Sequence, residues 1–256
     1  HAATDGYSRR LLWLEVAPTN NDPTYIARYF LDCVCQLGGV PKIVRADCGT
    51  ENVNVCAIQR FLRADSVDSF AGEKSFMYGK STSNQRIESW WSQLRKSNTD
   101  WWMEYFRNMR ETGIFDDSNP IHVNCITYCF MAILRKELNE TLKFWNTHWI
   151  RQSSNNESPC GRPDVIYSVP ELHNTENFLV QVTQDDADTA QGICKQCHEI
   201  QDCDEHFIEL VDIIKSEQNL QEPTTIAEAD NYSVTLLPTA HCIYLKCNMC
   251  ENNSYF

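Results

Sequence analysis

Through residues 1–152, short apolar runs alternate with segments of helical period, and that alternation commits the chain to a mixed α/β architecture. Asp5-Gly6 is a turn dipeptide, and Leu11-Leu12-Trp13-Leu14-Glu15-Val16 beyond it is an apolar strand. Residues 1–4 then read as the stub of the preceding strand. Pro23 opens a helix with apolar positions Ile26, Tyr29, Phe30, Cys33, Val34 and Leu37, closed by Gly38-Gly39. Lys42–Ala46 reads as a short buried strand with Asp47 at its carboxyl end. A helix is expected over Val53–Arg63, with Val55, Ile58, Phe61 and Leu62 on its apolar side, then a strand over 66–73 and a loop over Phe76–Ser83. The next helix, Asn84–Lys96, buries Ile87, Trp90 or Trp91, and Leu94. Pro120 opens a longer one through Ile126, Phe130, Ile133, Leu134, Leu138, Leu142 and Trp145.

Charge divides the chain. Its 256 residues carry a net charge of −13, but residues 1–155 hold 18 Lys+Arg and 17 Asp+Glu, whereas 156–256 hold 4 and 18. The first part can present a basic face to a polyanion, and the second would be repelled by one. A Ser-, Asn-, Pro- and Gly-rich stretch over Ser153–Pro163 falls at this break. The expected divisions are therefore an α/β domain at 1–152, a connector at 153–170, and an acidic, Cys-rich region at 171–256 that is mainly helical or irregular. Helices are expected there at Glu205–Lys215 and 224–237. No apolar run approaches the roughly 20 residues that cross a bilayer, so no membrane association is expected. His1-Ala2-Ala3-Thr4-Asp5 has neither an initiating Met nor the regions of a signal peptide, so the chain reads as an N-terminally truncated fragment of a protein that is not secreted. The 13 cysteines are odd in number, and Cys33, Cys35, Cys125 and Cys129 fall in apolar helical patterns. Reduced thiols in a nuclear or cytoplasmic protein are the expectation.

Two acids on separate elements carry the chemistry. Asp47 ends the strand in Arg45-Ala46-Asp47-Cys48-Gly49-Thr50-Glu51-Asn52, and Glu88 lies on the helix in Asn84-Gln85-Arg86-Ile87-Glu88. Two hard oxygen ligands at the rim of a sheet can hold Mg²⁺ or Mn²⁺ against a phosphodiester. Acids at strand ends are also common without any such role. Together with Asp5-Gly6-Tyr7-Ser8-Arg9, Phe70-Ala71-Gly72-Glu73-Lys74-Ser75 and Gly161-Arg162-Pro163-Asp164-Val165, these segments resemble, in order, the catalytic core of retroviral-type integrases and DDE transposases, particularly mobile-element-derived proteins of cellular genomes. The resemblance covers residues 1 to about 170. It implies an RNase H-like mixed sheet flanked by helices, with Asp47 the second metal-binding catalytic acid and Glu88 the third.

The first acid is where the chain departs from the family pattern. In the family it lies on strand one, whereas Asp-Gly-Tyr-Ser-Arg is the turn between strands two and three. Asp5 is accordingly expected to be a turn residue, with the first acid and its strand upstream of His1. Lys74, Lys80, Arg86, Arg95 and Lys96 crowd the region leading into and along the helix of Glu88, as a DNA-backbone face would, and Arg95 shares the Glu88 face if the helix is regular. The alternative for Arg95 is a solvated surface arginine. In the tail, Cys194 and Cys197 form one Cys-x-x-Cys pair and Cys247 and Cys250 another, but the 50 positions between Cys197 and Cys247 exceed the usual gap of about 15–20. Free thiols are expected there in preference to Zn²⁺.

The expected function is an integrase- or transposase-like core that binds DNA and, in a complete parent, performs Mg²⁺-dependent phosphodiester cleavage and strand transfer. The alternative is a domesticated, inactive DNA-binding or protein-interaction module, its acidic tail recruiting a protein partner. The resemblance also implies homo-oligomers.

Overall fold

In the computed structural model the described residues are 1–80, 84–152, 159–194 and 202–252, with side chains described to 192 in the third stretch and to 239 in the fourth. The chain begins with strands β1 (Ala2–Thr4) and β2 (Leu11–Leu14), helix α1 (Pro23–Leu37), strands β3 (Gly39–Pro41) and β4 (Val44–Ala46), and helix α2 (Val53–Leu62). Strand β5 (Phe76–Tyr78) and helices α3 (Gln85–Leu94), α4 (Asp100–Glu111), α5 (Pro120–Thr147) and α6 (Pro163–Ser168) follow. Strand β6 (Leu179–Gln181) and helices α7 (Gln184–Cys194), α8 (Glu205–Gln218) and α9 (Ile226–Asn252) complete a mixed α/β chain. No helix among the described residues is long and apolar enough to cross a membrane.

Packing divides the chain into two units that are not consecutive segments. One comprises His1–Leu94 and Leu138–Ile200, the other Arg95–Glu137 and Gln201–Phe256. The divisions at 152 and 170 expected from charge follow a different property of the sequence, and β6 and α7 of the acidic part fall in the first unit.

That first unit holds three two-stranded ladders. β1 pairs with β2 antiparallel, β3 with β6 antiparallel, and β4 with β5 parallel. Helix α1 starts where Asp22 accepts the Thr24 N–H at 2.8 Å and stops at Gly38, whose φ of 68° is left-handed backbone that glycine adopts without strain. Its Ile26, Ala27, Phe30 and Val34 pack with Val40 of β3, Val55 and Ile58 of α2, Phe76 of β5 and Ala190 of α7. A second cluster joins Leu11 and Leu14 of β2 to Trp90 and Leu94 of α3 and to Leu138, Leu142 and Trp145 of α5. There the buried Asn146 amide answers the backbone of β2, accepting the Leu11 N–H at 2.8 Å and donating to the Leu11 carbonyl at 2.9 Å. Gly39 lets β6 approach, since any side chain there would lie 2.7 Å from the Val180 carbonyl.

The second unit is helical. Trp102 and Phe106 of α4 meet Phe130 of α5 edge-on, at ring-centroid distances of 6.1 and 5.4 Å. Ile126 and Ile133 of α5, Phe207, Val211 and Ile214 of α8, and Leu236 of α9 extend this core. Helix α8 begins at Asp204, which accepts the N–H groups of His206 and Phe207. The Trp102 indole donates to Glu137 at 2.8 Å.

Several expectations change. Residues 66–73 form no strand. The Arg63 side chain, fully buried, donates to Ser66 at 2.6 Å and to Asp68 at 2.5 Å, and Gly72 donates its N–H to the Arg63 carbonyl at 2.9 Å, so the segment curls around the guanidinium. The strand lies instead at Phe76–Tyr78, within the expected loop. β4 is half-buried with Arg45 exposed, because β5 is its one ladder partner among the described residues. Phe61 is 39% exposed, whereas Val55, Cys56 and Ile58 are buried in the core and Leu62 packs against it. The α-helix of Glu88 ends at Leu94 and passes into a π-helical turn over Arg95–Thr99. Helices α4, α6 and α7 went unanticipated.

Candidate functional site

Asp5 and Asp47 each stand beside a glycine-containing turn, and their surroundings assign them different work. Asp5 Oδ2 accepts from the Tyr7 N–H at 3.1 Å, the Ser8 N–H at 2.7 Å and the Ser8 hydroxyl at 2.7 Å. Those bonds close the β1–β2 turn, so this carboxylate is engaged by its own loop.

Asp47 leaves the carboxyl end of β4, where the parallel ladder to β5 is prolonged by the Gly79 N–H donating to the Ala46 carbonyl at 2.9 Å. The carboxyl ends of parallel strands are where open sheets place ligands. Its Oδ1 accepts from the Asn52 amide at 3.0 Å, and the same nitrogen donates to Glu51 Oε1 at 3.0 Å. Asp47 Oδ2 has no hydrogen-bond partner among the described residues. Tyr78 lies opposite Ala46 in the parallel register and is 44% exposed, with its phenol held neutral by burial and by a hydrogen bond with Cys56.

Glu88 stands in the first turn of α3, exposed, and its carboxylate has no hydrogen-bond or ion-pair partner among the described residues. It shares a compact unit with Asp47, but among the described residues no side chain links the two as Asn52 links Asp47 to Glu51. Among the described residues no three His, Cys, Asp or Glu side chains gather closely enough to form a metal-ion cage. The donor set is nonetheless of the right kind: carboxylate oxygens with a free lone-pair edge suit Mg²⁺ or Mn²⁺, which bind with few protein ligands plus waters.

Lys74, Lys80 and Arg86 are exposed and lie in the same unit as the acids. Arg95 and Lys96 are exposed too but belong to the helical unit, and Arg95 pairs with Asp100 at 3.2 Å. A side chain at Gly6 would come within 4.0 Å of the Arg86 guanidinium, and burial followed by the charge of Arg86 lowers the proton affinity of Arg9. Arg9, whose Nε is buried without a partner, thus forms with Arg86 a like-charged pair beside the β1–β2 turn. Sequence reasoning overlooked Arg9, Glu51, Asn52 and Tyr78. All but Tyr78 lie inside the motif segments that carry the resemblance, so the signal was present but pointed to no particular side chain.

The described cysteine side chains are free thiols. Burial pushes the Cys33 thiol up to about 11 and the Cys203 thiol up to about 12, so both are neutral apolar groups rather than nucleophiles. Of the four tail cysteines considered for Zn²⁺, Cys197 lies outside the described residues, as do the side chains of Cys194, Cys247 and Cys250.

No curated protein and no solved structure matches the chain. A family model described as the integrase core domain matches residues 1–175, a span that contains Asp47, Glu88 and the five motif segments. The chain belongs to the integrase core domain family.

Proposed function

We propose that this chain is the RNase H-like core of a DNA integrase or transposase, in which Asp47 and Glu88 hold Mg²⁺ or Mn²⁺ against a DNA phosphodiester. The observation that carries this is Asp47 itself: an acid at the carboxyl end of a parallel strand, held through one oxygen by Asn52 with its other oxygen open. Topology supports the fold assignment. The unit of the two acids combines an antiparallel ladder, β1–β2, with a parallel one, β4–β5, the two kinds of pairing that a mixed sheet contains.

A bound divalent cation would supply charge neutralisation at the phosphate and an activated water or hydroxyl. The chain's own residues bind and orient. Asp47 and Glu88 offer ligand oxygens, while Lys74, Lys80 and Arg86 attract the DNA backbone without reading sequence, and Arg95 and Lys96 are separate candidates for phosphate contacts in the other unit. Asp5, the other acid raised by the sequence, is occupied by its turn. Asp47 and Glu88 are thus two of the three acids that this reading calls for, and no strand transfer is assigned to them alone.

That shortage favours a second reading, a module that binds DNA or protein and performs no chemistry. Purified chain incubated with Mg²⁺ or Mn²⁺ and transposon-end DNA separates the two. The proposal expects salt-sensitive DNA binding that weakens when Lys74, Lys80 and Arg86 are reversed to Glu, with no strand joining by this chain alone. Robust joining abolished by Asp5→Asn would overturn the assignment of the acids. DNA affinity indifferent to charge reversal would overturn the binding face. Homo-oligomerisation, a protein partner for the acidic tail and a nuclear or cytoplasmic location belong to the same proposal.

A further inference from the structure

Asn52 ends a 3₁₀ turn, Thr50–Asn52, that runs directly into α2, and its backbone is already helical, so its side chain is not called on to cap the helix. The residue is 7% exposed, and it directs its amide protons at two acids: Nδ2 lies 3.0 Å from Asp47 Oδ1 and 3.0 Å from Glu51 Oε1. Its backbone N–H donates to the Gly49 carbonyl at 3.3 Å, fixing the turn that brings the amide under Asp47. Gly49 completes the arrangement, because any side chain there would run into the Glu51 carboxylate. A buried amide that donates to two carboxylates and to no backbone carbonyl serves those carboxylates rather than the helix.

We propose that Asn52 is a positioning residue for Asp47. Glu51 accepts one amide proton and so fixes the rotation of the Asn52 side chain. The second proton is then aimed at Asp47 Oδ1, which settles the carboxylate in one orientation and presents Oδ2 to a divalent cation. Residues that orient a metal ligand through a hydrogen bond in this way typically govern affinity by 10–100-fold. The inference rests on the reading that Asp47 binds a divalent cation.

The test is a Mn²⁺ titration of the full chain, read by paramagnetic broadening of the backbone amide signals of Asp47 and its neighbours. Wild-type chain should show saturable broadening that Asp47→Asn abolishes. Asn52→Ala and the volume-conserving Asn52→Leu should weaken Mn²⁺ about 10–100-fold while the thermal transition persists. Glu51→Ala should weaken it less, and it keeps the question answerable if neither Asn52 variant folds. Absence of broadening in wild type, or broadening indifferent to Asp47→Asn, overturns the functional reading itself. Broadening lost in Asp47→Asn but unchanged in folded Asn52 and Glu51 variants overturns the positioning role alone, as would a fall in melting temperature with Mn²⁺ affinity intact.

Discussion

The two units solve the problem of buried polar groups in opposite ways. Among the described residues, Ser8, Asn52, Gln59, Arg63, Ser75 and Asn146 are buried in the unit with the short strands, whereas Ser233 is the one such residue in the helical unit. A helix satisfies its backbone internally, so four of them can meet through Trp102, Phe130, Val211 and Leu236 with little polar content. Three two-stranded ladders leave edges, and an edge N–H or C=O removed from water needs a partner. Asn146 on β2 and Gln59, which donates to the Pro41 carbonyl at 2.8 Å, are such partners. Asn52, like Ser8 and Arg63, answers no edge, and it alone of these three donates to the acid at the carboxyl end of a parallel strand.

The largest expected effect lies in the helical unit. Phe130→Ala opens a cavity beside the rings of Trp102, Tyr105 and Phe106 and should cost about 3–5 kcal/mol, read from urea denaturation. Ile58→Ala in the first unit should cost about 2–5 kcal/mol. If each loss appears only in probes of its own unit, the division into two is energetic as well as geometric.

Asn146→Ala tests the edge argument directly. It leaves the buried N–H and C=O of Leu11 unanswered and should cost about 1–3 kcal/mol, with faster hydrogen exchange at Leu11. A neutral result would dissolve the distinction between the units. Asp5→Ala should be milder, about 1 kcal/mol, and should leave Mn²⁺ broadening at Asp47 unchanged, since Asp5 serves its turn.

The smallest effect is a pH dependence. The Arg63 guanidinium, followed by the Phe70 N–H, holds the Asp68 carboxyl below its ordinary range. The folded form therefore binds fewer protons there than the unfolded chain. The stabilisation is complete above the unfolded carboxylate range and fades as pH falls through the lowered folded value. Melting temperature measured against pH should show this decline in wild type and a shallower one in Asp68→Asn.

Local chemistry accounts for what could be read in advance. The Asp5-Gly6 turn, the Pro23 start and Gly38 stop of α1, the apolar spacing of α5 and α8, and Asp47 at a strand end are each set within a few residues, and short-range sterics and periodicity determine them. The misread segment at 66–73 shows the limit. Its apolar and β-branched content suits a strand, but Arg63 captures it through bonds to Ser66 and Asp68, a choice that only burial of the guanidinium explains. β6 was likewise illegible, because a three-residue strand becomes one only when Gly39 admits it against β3.

The sequence by itself determined that this is an α/β chain of the integrase core family, with acids at residues 47 and 88 and its negative charge gathered in the second half. Only the tertiary structure decided that residues 66–73 fold around Arg63, that the helix of Glu88 widens after Leu94, and that Asn52 directs its amide at Asp47. The reason is range. Motifs and periodicity report on neighbours along the chain, whereas the partner a carboxylate or amide finds depends on which groups packing brings within about 3 Å of it and removes from water.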